Sequence, residues 1–194
     1  MRREKSELKV TIGPALQHPG TDRMTVLWET DAEVSGEVIC SDAAGNRVVV
    51  RDPRPATLHR SILTGLASGA SYTYSIAADG RTLANGSFRT LPERGPYRFV
   101  IFGDPHAPAD GFAALAPLIK KENPDFIVIL GDMVASGRDK LNWAGFFAMG
   151  RSIFDRIPFT TIIGNHDVKR TCARDAPDDL RSAEIALEEP VAFA

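Results

Sequence analysis

Residues 158–167 read PFTTIIGNHD, an apolar run that opens onto Gly, Asn, His and Asp. A short apolar run bounded by such residues reads as a strand buried on both faces by flanking helices. Two earlier stretches repeat the arrangement. YRFVIFG (97–103) leads into GDPH (103–106), and DFIVIL (125–130) leads into GDMV (131–134). The segments between them have helical period. DGFAALAPLIKKEN places Phe112, Leu115 and Ile119 at i, i+3 and i+7, with lysines at the end where a helix dipole favours them. Pro117 either kinks this helix or begins a second short one. DKLNWAGFFAMGRSIFDRI places Trp143, Phe147 and Phe154 on a related face, with Asp139 as the N-cap and Gly150 weakening its second half. The order β-α-β-α-β predicts a parallel layer with right-handed crossovers.

In such a layer the three strands end on one edge, the edge where open α/β sheets bind ligands. Asp104, His106, Asp132, Asn165 and His166 therefore converge there, each strand ending in a Gly that lets the backbone turn tightly. A Gly-Asp pair after one strand is an ordinary turn. Three polar strand ends in succession, 28 and 33 residues apart, are a site. Asp104 and His106, one residue apart in an extended segment, lean the same way and can grip one ion. The carboxylate of Asp132 has two oxygens and can bridge two ions, and Asn165 offers a neutral carbonyl oxygen. Carboxylate, imidazole and amide together suit Mn, Fe or Zn better than Ca or Mg. Two such ions are machinery for phosphate ester hydrolysis, and His166 can protonate a leaving oxygen beside them.

Upstream of residue 91 the rhythm is different. MTVLWET (24–30), GEVIC (36–40), RVVV (47–50), LHRSIL (58–63), SYTYSIA (71–77) and TLANGSF (82–88) alternate like strands and are separated by turn signals. About seven short strands at this spacing predict a β-sandwich of the immunoglobulin or fibronectin type III kind. Tyr72, six residues after Leu66 across a Gly-containing turn, is placed to return its hydroxyl to the backbone as a tyrosine corner. Trp28 reads as core, and His18 and His59 as surface. RTLPERGP (89–96) reads as a linker. The expected divisions are a sandwich over 1–94, the α/β layer over 95–168 and an atypical tail over 169–194. Within that tail, 177–189 could form one amphipathic helix.

Composition excludes some classes. With 194 residues, 43% hydrophobic and 25% charged, the chain has ordinary globular content. A net charge of −2 provides no basic footprint for nucleic acid and no polybasic patch for membranes. MRREKSELKV has no apolar core of a signal peptide, and no run reaches the ~20 residues of a membrane span. As written, the chain reads as cytoplasmic. Cys40 and Cys172 form neither a disulfide framework nor a zinc pair.

GDPH, GDMV and GNHD in this order resemble the first three motif blocks of the calcineurin-like metallophosphoesterases. A sandwich running into that unit resembles the purple acid phosphatase arrangement with its fibronectin III-like N-terminal domain. PGTDRMTVLWET, LTGLASGASYTYSI and SFRTLP add to the likeness, which spans about residues 8–167. The resemblance implies a phosphate-ester substrate and two metal ions. Asp104 and His106 would hold the first, Asp132 would bridge both, and Asn165 would hold the second. His166 would meet the phosphate or leaving group, and Asp167 would help to position it. The family is often extracytoplasmic.

Two departures follow from the same resemblance. Ala135 stands where purple acid phosphatases place the iron-binding Tyr, and His106 where they usually place Gly, so no ferric-tyrosinate colour is expected. The family also completes its site with downstream histidines, and none follows His166. The site and its sheet therefore read as incomplete, as if truncated after GNHD by a frameshift, an early stop or a chosen boundary. Self-association through the incomplete sheet is one consequence. The competing function is a non-catalytic fibronectin-like binding module carrying a phosphoesterase remnant.

Overall fold

The computed structural model describes residues 7–107 and 110–168. The expected tail over 169–194 lies outside the described residues. Five strands come first: β1 (Val10–Gln17), β2 (Arg23–Asp42), β3 (Arg47–Thr64), β4 (Ser71–Ala78) and β5 (Arg81–Arg89). Then β6 (Phe99–Phe102), α1 (Asp110–Glu122), β7 (Phe126–Ile129), α2 (Lys140–Phe154) and β8 (Phe159–Thr161) alternate. Strands dominate and the helices are few.

The segments that read as separate short strands merge in pairs. MTVLWET and GEVIC are the two ends of β2, and RVVV and LHRSIL are the two ends of β3. The ends have different partners. Residues 23–30 of β2 pair with β1 on one side and with the far end of β3 on the other. Residues 36–42 pair with β4 and with the near end of β3, and the register shifts between Glu29 and Gly36. Both groups contribute to one apolar cluster that contains Leu16, Val26, Trp28, Val38, Leu63, Tyr74 and Phe88. Tyr72 sits at its edge, and its hydroxyl accepts a hydrogen bond from the Ala67 N–H at 2.8 Å, so the tyrosine corner is present. Trp28 is fully buried, as expected. His59 is not on the surface: it is 1% exposed and stacks on Trp28 with ring centroids 3.9 Å apart. The alternation of LHRSIL points it inward, and an aromatic face awaits it there.

β6, β7 and β8 are parallel neighbours in the order β8-β7-β6, as the β-α-β-α-β pattern predicts. The registers Val100↔Ile127 and Ile127↔Phe159 put Val100, Phe102, Ile127, Ile129 and Phe159 on one face. That face packs on the helices through Phe112, Ile119, Trp143, Phe146, Phe147 and Phe154. α1 runs unbroken through Pro117. Asp139 caps α2, its side chain accepting from the Leu141 N–H at 2.9 Å. Gly150 lies inside α2 because the Phe154 ring occupies the space a Cβ would need.

The halves are not beads on a linker. β1 pairs with β2 and, at Gln17↔Phe159, with β8, so one eight-stranded sheet crosses the whole molecule. Ile12, Ala15 and Leu27 belong to the same cluster as the helices. The Tyr74 hydroxyl donates to the Asp155 carbonyl at 3.0 Å, and Lys140 pairs with the largely buried Glu29 at 2.9 Å. No strand is legible over 10–17, because VTIGPALQ contains a Gly-Pro pair that reads as a turn.

Among the described residues, much of the opposite face of the parallel layer is uncovered. Phe99 and Ile101 are 50% and 51% exposed, Leu130 is 51% exposed and Ile162 is 58% exposed.

Candidate metal centre

The three strand-end loops continue to pair after their strands stop. The Asp104 N–H donates to the Gly131 carbonyl at 3.1 Å, His106 N–H to the Asp132 carbonyl at 3.0 Å and Ala107 N–H to the Met133 carbonyl at 3.0 Å. The GDPH and GDMV loops thus lie side by side. GNHD joins from the other flank, where Gly137 N–H donates to the His166 carbonyl at 2.9 Å. Gly131, at φ 85°, passes so close to Gly164 that a Cβ would meet that glycine's N at 2.7 Å. Only glycine allows both the turn and the approach.

The backbone here is unusual. Asp104, His106 and Asp132 have φ values of 53°, 43° and 48°. Left-handed backbone costs a non-glycine residue of order 1–3 kcal/mol, and such strain gathers at functional sites. It also corrects the reading of Asp104 and His106 as neighbours in an extended segment: both turn left-handed instead. They still face each other, with the Asp104 carboxylate 3.6 Å from His106 Nε2.

His106, Asp132 and His166 form a compact group, each offering a ligand atom within 4.8 Å of the others. The His106 and His166 rings meet edge to face with centroids 4.6 Å apart. One Asp132 oxygen accepts the His166 backbone N–H at 2.7 Å, which fixes the carboxylate beside the GNHD loop. His166 Nδ1 lies 2.9 Å from the Ala135 carbonyl. A carbonyl oxygen only accepts, so the proton is on Nδ1 and Nε2 is the basic nitrogen. Position 135 thus contributes its backbone carbonyl to orienting this histidine.

Asp104 and Asn165 stand apart from the group. The Asp104 side chain is 73% exposed, beside His106 but outside the three-residue cluster. Asn165 is exposed on the turn between Gly164 and His166. Asp167 is buried, and its carboxylate does not reach back to the His166 ring. It accepts from Gly164 N–H at 2.9 Å and from Val134 N–H at 3.2 Å, clamping the GNHD loop to the GDMV loop. Burial pushes its carboxyl above the usual range, against the pull of those backbone donors. Sequence reasoning anticipated that His106, Asp132 and His166 lie on one edge but neither of these two contacts, because neither a carbonyl 31 positions away nor a buried loop clamp leaves a pattern in the chain.

The donor set fits a metal. Two imidazoles and a carboxylate suit a borderline-soft divalent ion, and a carbonyl that accepts from one ring nitrogen is the usual means of orienting such a histidine.

Comparison with known proteins agrees. Residues 97–191 match the calcineurin-like phosphoesterase family. A purple acid phosphatase from yellow lupin seeds superposes with a TM-score of 0.69 at 22% identity, covering 93% of this chain and 41% of that one. A PhoD structure superposes with a TM-score of 0.63 at 16% identity, covering 95% of this chain and 44% of that one. At these identities the likeness is one of fold, and this chain spans about two fifths of the length of the solved proteins it matches. No curated protein matches the sequence. With its three strand-end motifs gathered on one edge and the family match beginning at Tyr97, the second half of the chain is similar to the calcineurin-like phosphoesterases.

Proposed function

We propose that this chain carries the opening portion of a metal-dependent phosphoesterase site, preceded by a fibronectin III-like sandwich. The observation that carries the reading is the convergence of His106, Asp132 and His166 from three successive strand ends within ligand distance of one another. In a two-ion arrangement Asp104 and His106 would hold the first ion, Asp132 would be shared by both and Asn165 would serve the second. When bound, Mn, Fe or Zn ions supply Lewis acidity at the phosphoryl group and activation of water. The chain's own residues orient the donors: Asp132 is set by the His166 N–H, and the loops that carry it are clamped by Asp167. His166 stands where it can reach either the ion or a departing oxygen.

The sandwich reading is supported by the two pairing groups of β2 and β3 around one apolar cluster. Self-association belongs to the same proposal. A parallel sheet is ordinarily covered on both faces, and Phe99, Ile101, Leu130 and Ile162 leave one face of this layer apolar and open to a second copy.

The test is metal content by plasma mass spectrometry after loading with Mn, Fe or Zn, combined with hydrolysis of p-nitrophenyl phosphate and bis-p-nitrophenyl phosphate. Bound metal together with turnover of either ester supports the phosphoesterase reading; bound metal without turnover leaves only a metal-binding fold. Light scattering with and without metal tests self-association: a monomer under both conditions refutes it.

A further inference from the structure

The His166 side chain is only partly covered, so packing alone does not fix its ring. The segment 135–137 holds it through two backbone groups. The Ala135 carbonyl lies 2.9 Å from Nδ1, and the Gly137 N–H donates to the His166 carbonyl at 2.9 Å. We infer that Trp143 is a positioning residue for His166: its indole N–H, by holding the Gly137 carbonyl, sets the segment that orients the ring. The inference rests on the phosphoesterase-site reading above and deepens it by adding a core residue of α2 to the support of the site.

The bonds form a continuous chain. Trp143 Nε1–H donates to the Gly137 carbonyl at 2.8 Å, and the contact is buried. Gly137 is thereby held at both of its backbone polar groups, the carbonyl by α2 and the N–H by the GNHD loop. It has no slack on its remaining side, where a Cβ would collide with the Asp167 carbonyl. The Ala135 N–H donates to the Ala107 carbonyl at 3.1 Å, so the carbonyl that faces His166 belongs to a segment fixed at both ends. The anchor itself is rigid. Trp143 is fully buried, and its ring meets Phe146 edge to face with centroids 6.3 Å apart.

The other tryptophan supplies the contrast. Trp28 is buried as completely, yet its Nε1 reaches no hydrogen-bond partner and its ring stacks on His59. Burial in this protein does not by itself bring an indole N–H to an acceptor, so the bond from Trp143 is a placement of its own. Its chemical consequence lies at His166. A carbonyl only accepts, so the neutral ring carries its proton on Nδ1 and leaves Nε2 basic. Loss of the indole donor leaves the Gly137 carbonyl unpaired in the core, and the segment must move to satisfy it. The Ala135 carbonyl moves with it, and the ring loses its single tautomer.

The experiment is NMR of the histidine ring nitrogens in the whole chain without metal, at a pH well above the ordinary imidazole value, with His166 assigned by its loss in His166→Gln. The parent should show His166 with Nδ1 protonated. Trp143→Phe should mix the two tautomers, drawing the Nδ1 and Nε2 shifts toward their mean. Gly137→Ala, which displaces the segment directly, should do the same with the indole in place. Phe147→Leu opens the same apolar cluster but keeps the indole, so it should lower the melting temperature and leave His166 as in the parent. With bis-p-nitrophenyl phosphate and metal, Trp143→Phe should lose up to about 100-fold in kcat with KM nearly unchanged, the scale of a slight misplacement. Circular dichroism checks each fold. If Trp143→Phe does not fold, Gly137→Ala and the hydrogen exchange of the parent's Trp143 indole N–H decide, and exchange as fast as in free indole overturns the inference. So does an unchanged His166 tautomer in Trp143→Phe or Gly137→Ala, or equal mixing in Phe147→Leu. A parent without turnover removes the phosphoesterase reading and leaves the tautomer result to decide this one.

Discussion

His59 and His166 are in opposite regions of one molecule, and their surroundings differ in kind. His59 is sealed in the β-rich half, flat against Trp28, and neither ring nitrogen reaches a hydrogen-bond partner; the Asp52 carboxylate stands 3.6 Å from Nδ1. His166 is on the loop edge, partly open to solvent, with its ring turned by the Ala135 carbonyl and its backbone bonded to Asp132. The first imidazole packs as an aromatic slab, and the second is held by its Nδ1 at the Ala135 carbonyl. Burial without hydrogen bonds marks packing, and exposure with fixed orientation marks chemistry. Residue type alone does not separate the two.

The largest expected effect tests the packing side. Trp28→Ala should cost about 3–5 kcal/mol of unfolding free energy in urea, because it empties the centre of the β-half cluster. Co(II) affinity of the folded protein should be unchanged. A matching loss of affinity would break the distinction between the two regions.

Asp167→Ala comes next and should act on both quantities. It strips the acceptor from Gly164 N–H and Val134 N–H, and a buried donor left unsatisfied costs about 1–3 kcal/mol. We expect a drop in melting temperature accompanied by weaker metal binding, since the clamp sets the spacing of the GDMV and GNHD loops. Weakened stability with intact affinity would show that the loops hold their places without it.

Tyr72→Phe removes one hydroxyl and one backbone contact. The expected cost is about 1 kcal/mol, read from the denaturation midpoint.

A pH series sharpens the histidine contrast. Burial holds His59 below its ordinary value near 6.5, with Asp52 pulling the other way. The unfolded imidazole takes a proton near 6.5 while the folded one resists it. Stability should therefore be flat above about pH 6.5 and fall as pH drops below it, since the unfolded state then binds more protons. His59→Phe should flatten that part of the profile, and an unchanged slope in the variant would assign it to other groups.

The smallest effect belongs to the contact between halves. Lys140 is half-exposed, so Lys140→Ala should cost no more than about 1 kcal/mol despite the 2.9 Å pairing with Glu29.

Much of the site was legible in the chain. Gly-Asp and Gly-Asn after apolar runs place Asp104, His106, Asp132, Asn165 and His166 on one edge whenever the strands are parallel, and the helices between them require that they be so. Asp139 as a cap and Tyr72 as a corner were legible for the same reason, since each acts on backbone two to five residues away. His59 was misread because period-two alternation in a short segment does not reveal which face is covered.

By itself the sequence determined what local chemistry can determine: the alternating half, the parallel half, the turns and the identity of the polar strand ends. Tertiary structure alone decided the rest. β1 joins the halves by pairing Gln17 with Phe159, two residues far apart in the chain with nothing in their local patterns to match them. β2 and β3 run on together as one long pair, and the two ends of β2 find different second partners in β1 and β4. His106, Asp132 and His166 were placed together by the strand order, but the Ala135 carbonyl chose the nitrogen that His166 presents. Each of these depends on backbone groups, which every residue carries alike, so no side-chain pattern can announce them.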